Sequence, residues 1–539
     1  NGTLYAGNSN ANNTAWGTGP ITFMGGTIQF YGYGGSASVG GCTNTLNVPA
    51  DQTGTLQLPG RWGYSSPFTS PLIGSGTLNV TVDFIRDYFS GNWSAFTGQI
   101  NVSTRSGTGD FRVNHPAGYT NAAMFLDDGV DFYVINNNNL TVDIGELTGA
   151  SGAQVIPQSV GSGINPNSFT LRVGGRNTDA TFAGRIADNI GVVTITKLGS
   201  GTWTLTGTNA YSGVTTISGG TLQIGENGTT GTIGTNNVVN NATLAFNRSD
   251  AFSDSGVISG TGSLAQIGDG TLTLSNAHTY TGATIIESGT LALTGNGAIA
   301  SSTSISTSAR ALLDVRRRTG GGMTLANGKT LSGAGAVKGH FILASGVKLS
   351  PGTSIGALTF TNALTLSAGS TTKLEITKSP LTNDTLNVQG VLTCGGALAV
   401  TNLGGLALAA GDSFPLLNAP THSGSFSSLT LPLLGANLAW DTNSFLASGT
   451  LTVISTAPPA FGPITALGDG NFRLTFSGPT GRDYELRATT NLALTPITFW
   501  DLLDNDTFSS SSMIYDDLSA TNYPQRFYQI RVPKWPSNH

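Results

Sequence analysis

Charged side chains are scarce in this chain. Asp, Glu, Lys and Arg together make up 10% of its 539 residues, where globular domains carry about a quarter. The net charge is −5 and no long basic block occurs, which excludes the clustered Lys/Arg surface that nucleic acid requires. Cysteine occurs only as Cys42 and Cys394, too far apart along an array for one disulfide, so two buried thiols are expected. With only four methionines besides, the composition suits an oxidising exterior. The five histidines are scattered without zinc spacing, and neither metal nor cofactor is expected. No apolar run approaches the roughly 18 residues of a membrane-crossing helix, and no signal peptide opens the numbering.

What the chain has instead is glycine, 75 residues of it, with Thr, Ser and Asn filling the places between alternating apolar positions. Apolar residues reach 38%, enough for an ordered core. Alternation of Val, Ile and Leu with Thr and Ser reads as half-buried strand, so the chain is expected to be all-β. Strand-like stretches occupy 17–34, 75–89 and 99–113, with Gly, Asn and Ser clusters between them.

Residues 199–224 repeat at 268–293 without a gap, and 12 of these 26 positions are identical. The identities are Gly, Thr, Leu, Ile and Tyr, which are turn and strand residues. Identity of this kind marks a structural unit that buries one face on its neighbour. A sandwich core stops growing well below 450 residues, and propeller blades do not align, whereas stacked coils grow by adding rungs. The expected fold is therefore a long parallel β-solenoid (β-helix) over 1–455, a Pro-rich linker at 456–464 and a small C-terminal β-sandwich at 465–539. Leu205, Ile217, Leu222, Leu274, Ile286 and Leu291 are expected to point into the solenoid core. Gly2, Thr3 and Leu4 match Gly220–Leu222 and Gly289–Leu291, so the numbering is expected to begin within a repeat.

The residues Lys197, Gly199, Gly201, Thr202, Leu205, Gly207, Asn209, Tyr211, Gly213, Thr215, Ile217, Gly220 and Leu222 resemble the autotransporter-associated β-strand repeat of bacterial surface-protein passengers. The second copy departs from that pattern at Gln266, Asn276 and His278. GVKLSPGTSIGALTF with LTNDTLNVQG (381–390) is similar to the closing rungs of such passengers. The chain ends RVPKWPSNH rather than in an aromatic barrel terminus, so export through its own pore is not expected. Phe472, Leu474, Phe476, Gly478, Gly481, Tyr484, Leu486, Thr490, Asn491, Leu492, Trp500, Phe527, Tyr528 and Pro533 resemble the small sandwich that closes many secreted verrucomicrobial proteins. That likeness implies surface retention or accessory contact, without chemistry.

Candidate chemistry is thin. Asp127, Asp128 and Asp131, with His115 near in sequence, form the densest acidic group, and LDDGVDFYV reads as a turn before a strand rather than a catalytic or calcium site. Arg316, Arg317 and Arg318 form the one basic run and read as a solvated edge or a salt-bridged rung, with anion binding as the alternative. Asn-X-Ser/Thr sequons at Asn79, Asn92, Asn101, Asn139, Asn241, Asn383 and Asn505 are expected by chance in so Asn- and Thr-rich a chain. The sequence thus points to a secreted, non-enzymatic structural protein, extracellular or on the cell surface, that partners itself. The edge at Thr3, Leu4 and Tyr5 is the candidate assembly surface for a head-to-tail fibre or surface layer. A monomeric adhesin, gripping a surface glycan through Tyr31, Tyr33, Trp62 and Tyr64, is the alternative, and a polysaccharide-active β-helix enzyme a third.

Overall fold

The structure is a computed structural model that describes residues 2–6, 17–30, 42–58, 68–83, 88–105, 107–114, 118–135, 140–158, 168–479, 481–509 and 512–533. Up to Ser428–Thr430 its strands pair parallel, coil upon coil, apart from the antiparallel hairpin of Thr371–Lys378 and Leu381–Asn383 and the strand Ser413–Pro415, which pairs antiparallel with Thr450–Ser455. One face runs unbroken from Thr3–Ala6 to Ser428–Thr430. At roughly 4.8 Å per strand that face is roughly 85 Å long. Short strands whose burial alternates form it, as in Thr77–Val82 and Gln99–Thr104, because inward side chains must stack on the coils above and below.

The stacking is literal. Leu56, Val80, Val102 and Leu126 lie in one column, and farther along it come Phe182, Leu205, Ile224 and Phe246. Gly149 sits between Leu126 and Phe182 in this column, where a Cβ would collide with the Phe182 ring at 2.7 Å. Leu205, Ile217, Leu222, Leu274, Ile286 and Leu291 are all fully buried. In the first coils a separate stack inside the coil is aromatic: Phe30, Phe68, Phe89, Phe111 and Phe132 follow one another at centroid distances of 5.7, 5.2, 4.6 and 5.7 Å. Cys42 and Cys394 are both free thiols and both buried.

The corners need glycine where the backbone turns left-handed. Gly220 (φ 62°) and Gly289 (φ 60°) are equivalent, and a Cβ on either would lie 2.3 Å from the carbonyl oxygen of the coil below, Gly201 or Gly270. An L-residue is therefore excluded twice, by conformation and by space.

Around the last parallel strands the chain also folds back on itself. Ser413–Pro415, Leu438–Asp441 and Thr450–Ser455 form an antiparallel sheet whose Phe414, Leu451 and Val453 join the solenoid core. The stretch read as linker is shorter than 456–464, because Ala460–Ala466 is a strand. It is an edge strand, and its register slips between Phe461 and Ile464, where Pro463 lacks the N–H a regular ladder needs. Two three-stranded antiparallel sheets follow, Ala460–Ala466/Phe472–Ser477/Met513–Asp517 and Asp501–Thr507/Asp483–Thr489/Phe527–Arg531. Leu474, Phe476, Tyr484, Leu486, Phe508 and Ile530 give this small sandwich its own core.

Candidate functional site

The repeats concentrate the interior polar groups, and each group has a bonding task. Lys197 is 1% exposed, and its ammonium donates to the carbonyls of Leu198 (2.6 Å), Gly199 (3.2 Å) and Gly219 (3.2 Å). Burial pulls its pKa down to about 8, opposed by the charge of Asp179. At the equivalent place Gln266 donates its amide to Gly268 (2.7 Å) and Gly270 (3.4 Å). A neutral donor thus replaces a charged one on the same kind of acceptor.

Asn209 accepts from the Ile186 N–H (2.8 Å) on the coil below and donates to the Thr232 carbonyl (2.7 Å) on the coil above. Its counterpart His278 accepts from the Ile258 N–H at Nδ1 (3.0 Å), which puts the ring proton on Nε2. That nitrogen is buried without a partner, and burial lowers the imidazole pKa to about 4. Tyr211 and Thr215 share a hydroxyl bond of 2.8 Å, and Tyr280 and Thr284 one of 2.6 Å. Asn276, standing where the first copy has Gly207, donates to the Ser255 carbonyl (2.7 Å). The substitutions that loosen the sequence match therefore keep part of the hydrogen-bond plan: Gln266 keeps the corner donor and His278 the bond to the coil below, but His278 loses the donation to the coil above that Asn209 makes.

The two copies do not sit on the same sides of the coil. In the first, Thr202–Leu205 and Thr221–Gly228 lie on the long face, while Val193–Lys197 and Thr215–Ile217 pair on another. In the second, Ser263–Gln266 and Thr284–Ile286, the counterparts of the latter pair, lie on the long face. The unit is preserved but set one face further round.

Two carboxyls in the solenoid are deeply buried. Asp254 accepts from Gly256 N–H at one oxygen (3.3 Å) and leaves the other without a partner, and burial raises its pKa to about 6. Asp384, also raised to about 6 by burial, accepts from Gly356 N–H (2.8 Å) and Glu375 N–H (2.7 Å), tying the loop at Gly356 to the strand Thr371–Lys378.

The acidic group expected in a turn divides. Asp127 and Asp128 do form a turn, Asp128 accepting from Gly152 N–H of the next coil at 2.8 Å. Asp131 instead belongs to the strand Val130–Val134, where its outward side chain stands in register with Asp110 on one neighbouring coil and Gln154 on the other. Arg112 forks onto Asp110 (2.7 and 3.2 Å), while Tyr133 (3.1 Å) and Gln154 (3.0 Å) donate to Asp131. Desolvation raises both carboxyl pKa values. Sequence reading missed Asp110 and Arg112 because only the coil length brings D-F-R beside D-F-Y. His115, Tyr31, Tyr33, Trp62 and Tyr64 lie outside the described residues. Among the sequons, Asn79 and Asn101 bond to one another at 2.9 Å. Among the described residues no group of three or more His, Cys, Asp or Glu is arranged to hold a metal, and no helix is long and apolar enough to cross a membrane.

Residues 195–224 and 264–293 match the family described as Passenger-associated-transport-repeat. Over those two segments this β-solenoid is similar to autotransporter passengers. No curated protein matches the sequence. The matched segments are the two units in which Lys197 and Gln266 brace a corner, Tyr211 and Tyr280 bond to Thr215 and Thr284 within the unit, and Asn209 and His278 bond to an adjacent coil.

Proposed function

We propose that this passenger-like solenoid is a secreted, non-enzymatic structural protein that assembles head to tail into an extracellular fibre or surface layer. The observation that supports the reading is the unbroken parallel face, whose first and last described strands each pair along one edge among the described residues. Thr3–Ala6 pairs along one edge with Thr27–Phe30, and Leu4 and Tyr5 are 54% and 63% exposed. Ser428–Thr430 pairs along one edge with Ala397–Leu403, and nearby Leu433 is fully exposed. Both strands belong to one face, so a second copy translated along the axis would continue its ladder, a heterologous contact that need not close.

The same geometry supports the non-enzymatic part. Lys197, Tyr211, His278 and Tyr280 of the repeats are each engaged in bonds within the unit or to an adjacent coil, and Asp110 and Asp131 are tied by Arg112, Tyr133 and Gln154. Electron microscopy of the purified chain tests assembly: fibres of constant width are expected, and isolated rods at every concentration would favour single-copy surface display. Incubation with acidic and neutral polysaccharides tests the chemistry. Turnover that disappears in the Asp110→Asn, Asp131→Asn double variant would make the protein an enzyme.

A further inference from the structure

The three consecutive arginines meet three different fates. Arg316 is exposed and ion-paired to Asp314 at 2.7 Å, and Arg317 is exposed with no carboxylate within ion-pair distance among the described residues. Arg318 is half-buried. A bulge re-aims it: Ala292 stands opposite Asp314, but Thr294 stands opposite Arg317 and Gly295 opposite Arg318, one residue more on the arginine strand.

Arg318 is then fixed by two backbone bonds, from Nε to the Gly297 carbonyl and from Nη1 to the Gly322 carbonyl. Other withdrawn guanidiniums in this chain, Arg112, Arg248, Arg487 and Arg526, each face a carboxylate. Arg318 faces none among the described residues, and burial lowers its pKa. A partly desolvated cation without a counter-ion attracts an anion from solution.

The guanidinium lines a groove of about 340 Å³, with exposed His340 and apolar Ala298, Ala300, Met323 and Ile342 as other walls. The groove lies where Gly322–Leu325 begins a new sheet, pairing with His340–Leu343, and among the described residues no strand covers its other edge. We infer that this groove binds one acidic saccharide unit, its carboxylate on Arg318 and His340 and its ring on the apolar walls. The volume suits a single small ligand. The saccharide class rests on the extracellular reading above, whereas the anionic chemistry rests on the groove alone.

The test is calorimetric titration of the full chain with trigalacturonate, maltotriose and inorganic phosphate at low and moderate salt. Trigalacturonate is expected to bind and to weaken with salt, and maltotriose to give no heat. Arg318→Met should lose at least tenfold in affinity and Arg318→Lys less. His340→Ala, at an exposed side chain, should lose several-fold without disturbing the fold, while Arg316→Ala should stay within about twofold. Circular dichroism confirms that each variant is folded. Absence of binding by the intact chain, equal binding of phosphate or maltotriose, or indifference to both Arg318→Met and His340→Ala would overturn the inference. Binding is read on single chains, so its failure leaves fibre assembly standing, and the failure of assembly leaves binding standing.

Discussion

Lys197→Gln installs in the first repeat the donor that the second already uses at Gln266. A lysine whose folded pKa falls from 10.5 to about 8 is penalised by about 3 kcal/mol whenever it is charged, since each unit is about 1.4 kcal/mol. The sign follows from linkage. Between pH 8 and 10.5 the unfolded chain holds the proton that the folded chain has released, so the wild type gains that stability as pH rises and lacks it below pH 8. Glutamine carries no such dependence. It keeps a donor for the carbonyls but loses the strength of charged hydrogen bonds, about 1.5–3 kcal/mol, so the two proteins should be nearly equal at pH 7. Urea unfolding of both, followed by tryptophan fluorescence at pH 7, 9 and 10.5, isolates the residue because other titrations cancel in the difference. The wild type should gain about 3 kcal/mol on the variant across the alkaline range. A flat difference would show that the buried ammonium is not penalised and would refute the reasoning. Lys197→Ala, with no donor, should cost about 1–3 kcal/mol for each orphaned carbonyl at neutral pH.

Asp254 and Asp384 share a raised pKa but should respond oppositely to neutral substitution. Both make the folded state bind a proton more tightly, so each lowers stability as pH rises from about 4 to 6. Asp254→Asn should stabilise at pH 7 by up to about 3 kcal/mol and change little at pH 4, whereas Asp384→Asn places an amide against one of two N–H donors and should destabilise by about 1–3 kcal/mol; urea midpoints at both pH values check the pair. Gly220→Ala or Gly289→Ala, colliding with the coil below, should each cost at least about 2 kcal/mol in the same assay, and a smaller loss would mean that the corner relaxes. For assembly, Thr27 N–H donates to the Gly2 carbonyl, so alternation turns the Leu4 N–H inward and those of Thr3 and Tyr5 to the open edge. Tyr5→Pro should therefore abolish fibres in electron micrographs while circular dichroism stays unchanged, and normal fibres would dismiss this edge.

The repeat was legible because its constraints are local. Gly220 and Gly289 recur where the backbone must turn, and Leu205 and Leu274 recur where a side chain must enter the core, so periodicity exposes both. Partners on other coils leave no such trace. Nothing in the string DFRV next to VDFYV says that Asp110 and Asp131 lie side by side, since that depends on the loop length between them. The turn reading of Asp131 failed for the same reason: two preceding aspartates make a turn plausible, and only the pairing of Val130–Val134 shows where the turn stops. Arg318 was hidden by a bulge, an extra residue that alternation cannot anticipate.

The one-face offset between the copies fits polar positions that vary in identity more than in the backbone groups they meet. Lys197 and Gln266 bond mainly to carbonyls a few residues away in their own corners, and Tyr211 and Tyr280 bond to Thr215 and Thr284 within the unit. Asn209 and His278 reach only the adjacent coil, and there they meet a backbone N–H, which every non-proline residue supplies. At these positions the unit asks its neighbours for backbone groups, which any face of the coil supplies, although Thr202, Ser212 and Thr284 also bond to side chains of adjacent coils. The same property frees its acceptor corner to use an ammonium or an amide, so the pH response of each repeat is set by its own residue at that corner and not by its place along the solenoid.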